Sequence, residues 1–258
     1  MKKYIDSFVN YRFLLWELVK KGIKLKYRRS YLGVIWSMIE PLLTMIVLTL
    51  VFGTILGHHD KTFPVYILSG RLIYSLFSQS TTTALKSIRA NEGMIKKVYV
   101  PKYMYPLSGI VFNYILFLIS LVVLAGVSLV LKVYPTMQIF FAIVPLTVLF
   151  LLSIGVGMFL ATVGVFFRDM EYLWNVLLML VMYTCAIFYY PDKLLDSNVS
   201  WILKYNPLYC VIDCFRSCIF GTDVHYGMLL YAFIFAVVSI IIGGTLFRKN
   251  EDRFILYI

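Results

Sequence analysis

Charged residues are scarce in this chain: they make up 14% of its 258 residues, where soluble proteins carry about 25%. That scarcity excludes an ordinary water-soluble globule. Histidine is scarcer still, with only His58, His59 and His225, and all three lie outside the long apolar runs. Hydrolysis or acyl transfer inside a membrane needs a nucleophile with a base, or a metal, and the apolar runs offer no histidine for either. The His58-His59-Asp60 triplet is a weak match to metal-ligand spacing and reads better as a solvated loop. There are four cysteines, and Cys210, Cys214 and Cys218 recur every fourth residue. That spacing puts them on one helix face, where cysteine packs as a small hydrophobe and is poorly aimed for a disulfide. The dipeptide Gly-Lys never occurs. A P-loop needs it, because its lysine and glycine-rich amides hold the phosphates. Work driven by ATP would have to be done by another chain.

What is abundant is apolar length: 61% of the residues are hydrophobic. A helix needs about 20 apolar residues to cross a hydrocarbon layer of roughly 30 Å. Six runs meet or approach this length, at 33–57, 63–85, 106–131, 136–167, 172–190 and 227–247. The expected fold class is therefore all-α, a polytopic membrane protein with six transmembrane helices. Lysine and arginine set the orientation. Segments 1–32, 86–105, 168–171 and 248–258 hold eighteen of the 24 Lys and Arg residues, and six fall elsewhere. This places both termini in the cytoplasm. The formal charge of +11 then follows from topology, and no nucleic-acid partner is expected. No signal peptide is apparent, so insertion is expected through the first span.

Several segments do not read as crossings. Residues 1–32 carry Ile5, Phe8, Val9, Leu15, Trp16, Val19 and Ile23 at helical spacing, followed by Lys20, Lys21, Lys24, Lys26, Arg28 and Arg29. A basic amphipathic helix of this type lies in the membrane interface among anionic lipids. It can serve as an anchor, and also as a lever that touches a cytoplasmic partner. The charged tail 248–258 reads as a cap on the last span. Residues 194–220 are apolar but contain Lys204, Asp213 and Arg216, which predicts a re-entrant segment within an external region, 191–226. Glu40 and Arg71 each fall inside an expected span, Glu40 about 12 Å from its cytoplasmic end at 1.5 Å per residue. Ionisable groups at such depth are costly and usually paired, so the two are candidates for an ion pair, structural or functional, whose formation the sequence leaves open. Finally, "SIRANEGMIKKVYVPKYMYPLSG" at 87–109 interrupts the apolar text with a basic amphipathic helix, Asn91 to Tyr99, stiffened at its exit by Pro101 and Pro106.

Four stretches together resemble the membrane subunit of ABC-2-type exporters, in particular the permeases that export lipid-linked O-antigen, capsule and wall teichoic acid. "KYRRSYLGVIWSMIEPLLTMIVLTLVFGTILG" resembles the family's first span, with basic residues, L-G-x-x-W and then proline. "FPVYILSGRLIYSLFSQSTTTALKSIRANEGMIKKVYVPKYMYPLSG" resembles its second span and the segment that follows. "VGVFFRDMEYLWNVLLML" resembles its F-x-R-D junction between spans four and five, here Arg168 and Asp169. "KYNPLYCVIDCFRSCIFG" resembles its re-entrant region.

The resemblance implies a single transmembrane domain over 1–258, with no catalytic, cofactor or metal site of its own. It implies a second copy of the chain, two copies of an ABC ATPase that carry ATP and Mg, and a lipid-linked glycan substrate in the bacterial cytoplasmic (inner) membrane. Segment 86–105 would be the coupling segment, with Arg89, Asn91, Met94, Ile95, Lys96, Lys97, Val98, Tyr99 and Pro101 meeting the ATPase. Met94, Ile95 and Val98 are expected to fill an apolar cleft there. Tyr183, Phe188, Tyr189, Tyr190, Tyr205 and Arg216 are candidates for the translocation path. Two alternatives stay open: an ABC-2 exporter of drugs or lipids, and a membrane enzyme acting on lipid-linked sugars, against which the missing intramembrane histidine argues.

Overall fold

A computed structural model describes residues 2–56, 60–97, 100–134, 136–191 and 200–257, with side chains described from residue 11 onward and not at Leu56. The described residues are helical and contain no strand. His58, His59, Val98 and Tyr99 lie outside them. The helices are α1 (Lys2–Tyr27), α2 (Trp36–Leu56), α3 (Phe63–Ala90), α4 (Glu92–Ile95), α5 (Met104–Val130) and α6 (Ile143–Phe166). They continue as α7 (Met170–Thr184), α8 (Ser200–Lys204), α9 (Pro207–Phe220), α10 (Tyr226–Asn250) and α11 (Phe254–Tyr257).

Four segments are long and apolar enough to cross a membrane: Gly33–Ile55, Met104–Val130, Met137–Phe166 and Tyr226–Tyr257. They match the first, third, fourth and sixth expected spans. The second falls on α3, whose 28 residues exceed the needed length but include Arg71, Lys86 and Arg89. The fifth is shorter than expected. Its helix, α7, stops at Thr184 after 15 residues, and Ala186 then adopts a left-handed φ of 46°. A 15-residue helix is about 22 Å long, less than a hydrocarbon layer.

α1 packs against the N-terminal part of α5, where Gly22 faces the Phe112 ring and Val19 is 1% exposed. Trp16, Lys24, Arg28 and Arg29 all remain exposed. In α2, Pro41 sits inside the helix and lacks an N–H, so the carbonyl of Ser37 loses its ordinary partner. Ser120 of α5 replaces it, donating to Ser37 O at 2.8 Å. In lipid such a carbonyl must find a donor within the protein. α6 and α10 touch backbone to backbone. A Cβ on Gly155 would lie 2.6 Å from Ile240 N, and one on Gly243 would lie 2.9 Å from Phe159 N. Small residues permit this approach, which gives van der Waals contact where water-driven burial is absent.

Candidate functional site

Three parts of the molecule hold the sequence-predicted residues, and the first is the segment that follows α3. α3 runs to Ala90, Asn91 follows, and α4 is a single turn. The Asn91 side chain donates to Ser87 O at 2.8 Å, and Asn91 O accepts from the amides of Met94 and Ile95 at 3.0 Å each. The expected helix from Asn91 to Tyr99 is therefore shorter, because α3 extends further and Asn91 turns the chain.

The expectation for Ile95 is corrected. It is 8% exposed, packed inside this chain with Ile88, Tyr105, Ala161, Val165, Phe247 and Phe254. Met94, half-buried, leans on the same cluster. Neither is an outward anchor. The outward face is polar instead: Glu92, Lys96 and Lys97 are exposed, and Lys96 pairs with Glu92 at 2.6 Å. The tail belongs to this support. Phe254 is fully buried, 5.1 Å from the Phe247 ring and 5.9 Å from the Phe166 ring, and Lys102 Nζ donates to Glu251 O. Leu18 of α1 and Val100, next to Pro101, also pack against the cluster. The interfacial helix, the segment after α3 and the C-terminal tail therefore share one small core.

The second part lies between α2, α3 and α5, where a narrow cleft of ≈ 60 Å³ has a polar lining. α2 gives Ser37, Glu40 and Thr44, α3 gives Arg71, Ser75 and Gln79, and α5 gives Asn113 and Ser120, with Lys26 of α1 beside them. Each set repeats at helical spacing and so forms one stripe per helix. Glu40 and Arg71 share this cleft, but among the described residues they form no ion pair. Arg71 turns the other way, over the Tyr74 ring at 5.6 Å and to Met182 Sδ at 3.9 Å. The candidate ion pair is therefore not formed. Surrounding side chains shield the Lys26 ammonium from water and lower its pKa, an effect that Glu40 partly offsets. The cleft has room for a few waters and the polar partners to hold them.

The third part is the reversal after α7. Asn206 caps α9, its Oδ1 accepting from the amides of Leu208 at 3.0 Å and Tyr209 at 3.3 Å, with Pro207 at the first helical position. Gly221, at φ 71°, closes the helix in the left-handed region. Asn206-Pro207 thus starts the helix and Gly221 stops it. Arg216, only 6% exposed, is removed from the list of path residues by its contacts. Its Nη1 donates to Ala186 O at 3.0 Å, and its Nη2 donates to Tyr66 O at 2.9 Å and Ile187 O at 3.5 Å. The guanidinium lies 3.4 Å from the Tyr66 ring centre. Phe188 is likewise inside the protomer, 6% exposed and stacked on Phe52 at 5.0 Å. Tyr190 packs against Tyr66 at 4.6 Å, and the Tyr189 hydroxyl donates to Tyr183 O at 2.8 Å. Tyr183 and Tyr205 remain exposed, at 55% and 67%.

At the junction before α7, Arg168 and Asp169 are exposed and form the turn through their backbones, Asp169 O accepting from Tyr172 and Leu173. The residue that makes long-range contact is Glu171, paired with Arg89 at 2.7 Å and Lys86 at 3.1 Å. Sequence reasoning missed it, although a carboxylate beside F-x-R-D facing a segment rich in cations was an available signal.

A profile of the family described as ABC-2 type transporter matches residues 14–220. The O-antigen export system permease protein RfbA of Klebsiella pneumoniae is 28% identical over 243 residues, 93% of each chain. RfbA of Myxococcus xanthus is 25% identical over 260 residues, 98% of each chain. The polysialic acid transport protein KpsM of Escherichia coli is 26% identical over 244 residues, covering 91% of this chain and 92% of its own.

Proposed function

Because the chain belongs to the ABC-2 type transporter family, we propose that it is the membrane permease of an exporter that moves a lipid-linked polysaccharide or related glycopolymer across the bacterial cytoplasmic membrane. One observation carries this reading: relatives named for O-antigen export and polysialic acid transport align with more than nine-tenths of the chain. α3 and α7 serve as the remaining crossings, both termini are cytoplasmic, and α9 dips in from outside. Two copies of the chain work with two copies of a nucleotide-binding subunit, which holds ATP and Mg and does the hydrolysis. No catalytic step falls to this chain.

Structural features are consistent with a docking turn and a second copy. The turn 92–97 presents Glu92, Lys96 and Lys97 outward while Ile95 anchors it inward, as a rigid knob for a partner would. α2 exposes Leu43, Val47, Leu50 and Ile55, and α7 exposes Tyr172, Val176, Leu180 and Tyr183. These faces suit a second copy, with the aromatics near the path. Co-expression with a candidate ABC ATPase from the same organism, followed by affinity purification, tests the reading. Recovery of a complex with equal numbers of both chains is expected, and a permease that never retains the ATPase would refute it.

A further inference from the structure

α7 is weakly held by apolar packing, for only Trp174 and Leu178 are buried among its fifteen residues. Apart from contacts at its last two residues, where Tyr189 donates to Tyr183 O and Asn206 to Thr184 Oγ1, its polar attachments run to one neighbour, α3. At the cytoplasmic end the Glu171 carboxylate takes Arg89 at 2.7 Å and Lys86 at 3.1 Å. One turn further, Trp174 Nε1 donates to Thr81 Oγ1 at 3.1 Å. The Tyr74 hydroxyl donates to Leu178 O at 2.9 Å, and Arg71 reaches Met182 Sδ at 3.9 Å. Beyond the helix end, the Tyr66 hydroxyl donates to Ala186 O and Tyr189 O, both at 3.0 Å.

On α3 the residues 89, 81, 74 and 66 follow at steps of eight, seven and eight, which is two turns each and therefore one face. At 1.5 Å per residue this ladder is about 35 Å long, the thickness of a hydrocarbon layer and its margins. Its cytoplasmic rung is the most consequential. The side chains of Arg89 and Glu171 are only 22% and 28% exposed, so water screens them poorly. Without the carboxylate, Lys86 and Arg89 would face each other as like charges one turn apart. Asn91 and α4 follow Arg89 directly, so the rung sits where any displacement of the turn 92–97 enters α3.

We propose that Glu171 is a positioning residue that clamps α7 to the cytoplasmic end of α3, so that α7 moves with the coupling turn as one body and the ladder carries that movement to the outer reversal. This rests on the reading that 92–97 docks on the ATPase. The element carried is the one whose open face bears Tyr172, Val176, Leu180 and Tyr183. Glu171 touches no substrate. Its effect acts through Lys86 and Arg89.

The test uses the complete permease–ATPase complex in proteoliposomes. Glu171→Gln should lower the polymer exported per ATP hydrolysed by about tenfold, as misplacing a working element does, while assembly and hydrolysis persist. The exchange Arg89→Glu with Glu171→Arg should recover most of the coupling. A merely structural role would instead lower export and hydrolysis in proportion, with the amount of folded complex. Wild-type coupling in Glu171→Gln would overturn the proposal.

Distance measurements with Glu171 intact decide the matter even if that variant does not fold. Spin labels at exposed Ala90 and Val176, in complexes with one labelled copy, should keep a constant separation through the ATP cycle. Ala90 to Ile242 on α10 should change. If both separations change alike, the clamp is refuted while the coupling reading stands. If neither changes while export proceeds, the coupling assignment falls, and the clamp with it. The native cysteines Cys185, Cys210, Cys214 and Cys218 are all fully buried and do not compete for label.

Discussion

Removing the Arg216 guanidinium and filling Gly70 should each destabilise the protein, and together they should cost less than the sum. Arg216 Nη1 and Nη2 donate to Ala186 O at 3.0 Å and Tyr66 O at 2.9 Å, binding the broken end of α7 to the start of α3. Hydrogen bonds from a charged donor contribute about 1.5–3 kcal/mol each. Two of them give roughly 3–6, from which the cost of keeping a guanidinium dry must be subtracted. Arg216→Ala should therefore cost about 2–4 kcal/mol. Gly70 exists to admit this side chain: an added Cβ would sit 3.2 Å from Arg216 Cζ and overlap Nη2. Gly70→Ala alone should cost about 1–3 kcal/mol by overpacking. Once Arg216 is truncated, the clash disappears. The double variant should thus be at least about 1 kcal/mol more stable than additivity allows, well outside the roughly 0.5 expected of independent sites. Thermal unfolding of the detergent-solubilised protein, followed by static light scattering and intrinsic fluorescence, measures all three. Additive costs would show that Gly70 and Arg216 do not share the space assigned to them.

Other perturbations have equally definite outcomes. Ser120→Ala should cost about 1 kcal/mol in the same assay because Ser37 O loses its donor, and the cost should vanish in a Pro41→Ala background, where the helix supplies one. Ile95→Asp should reduce the yield of folded permease itself, since a buried apolar side chain worth about 1.5–3 kcal/mol is replaced by a charge. Lys96→Ala and Lys97→Ala should leave folding intact and weaken ATPase retention mildly and in a salt-dependent way, as exposed charges worth about 0–1 kcal/mol do. A water-soluble maleimide should label none of the four cysteines in the native protein and all four after denaturation. Labelling of native Cys210 would contradict the burial of α9.

The long apolar runs made the spans legible because lipid leaves few ways to satisfy a backbone, and a run of sufficient length has to be a helix. The ends of α9 went unread, although Asn206-Pro207 and Gly221 act locally and were available as start and stop signals. Harder to read were positions decided by packing between distant segments. Ile95 has the spacing of an exposed anchor, yet Phe254, more than 150 residues away, covers it. Arg216 was read as a candidate path residue, whereas two carbonyls at the break after α7, those of Ala186 and Ile187, and Tyr66 O of α3 had already claimed it. The end of α7 was misjudged for the same reason. Apolar residues 185–188 continue the hydropathy signal, but they are buried in a turn, not in a helix. Glu40 and Arg71 were singled out as ionisable groups inside spans, but neither the cleft they share nor the direction of the Arg71 side chain, toward Met182, could be inferred from spacing.

The central claim is that this chain carries a lipid-linked glycopolymer, driven by a partner's ATP hydrolysis. The most direct measurement reconstitutes the permease and its ATPase in proteoliposomes, supplies lipid-linked glycans of defined structure on the nucleotide side, and follows both hydrolysis and the appearance of glycan on the opposite side. The account predicts that one such glycan stimulates hydrolysis and crosses only when ATP is present. Stimulation by drugs or ordinary phospholipids, with every lipid-linked glycan left on the side where it was added, would contradict it.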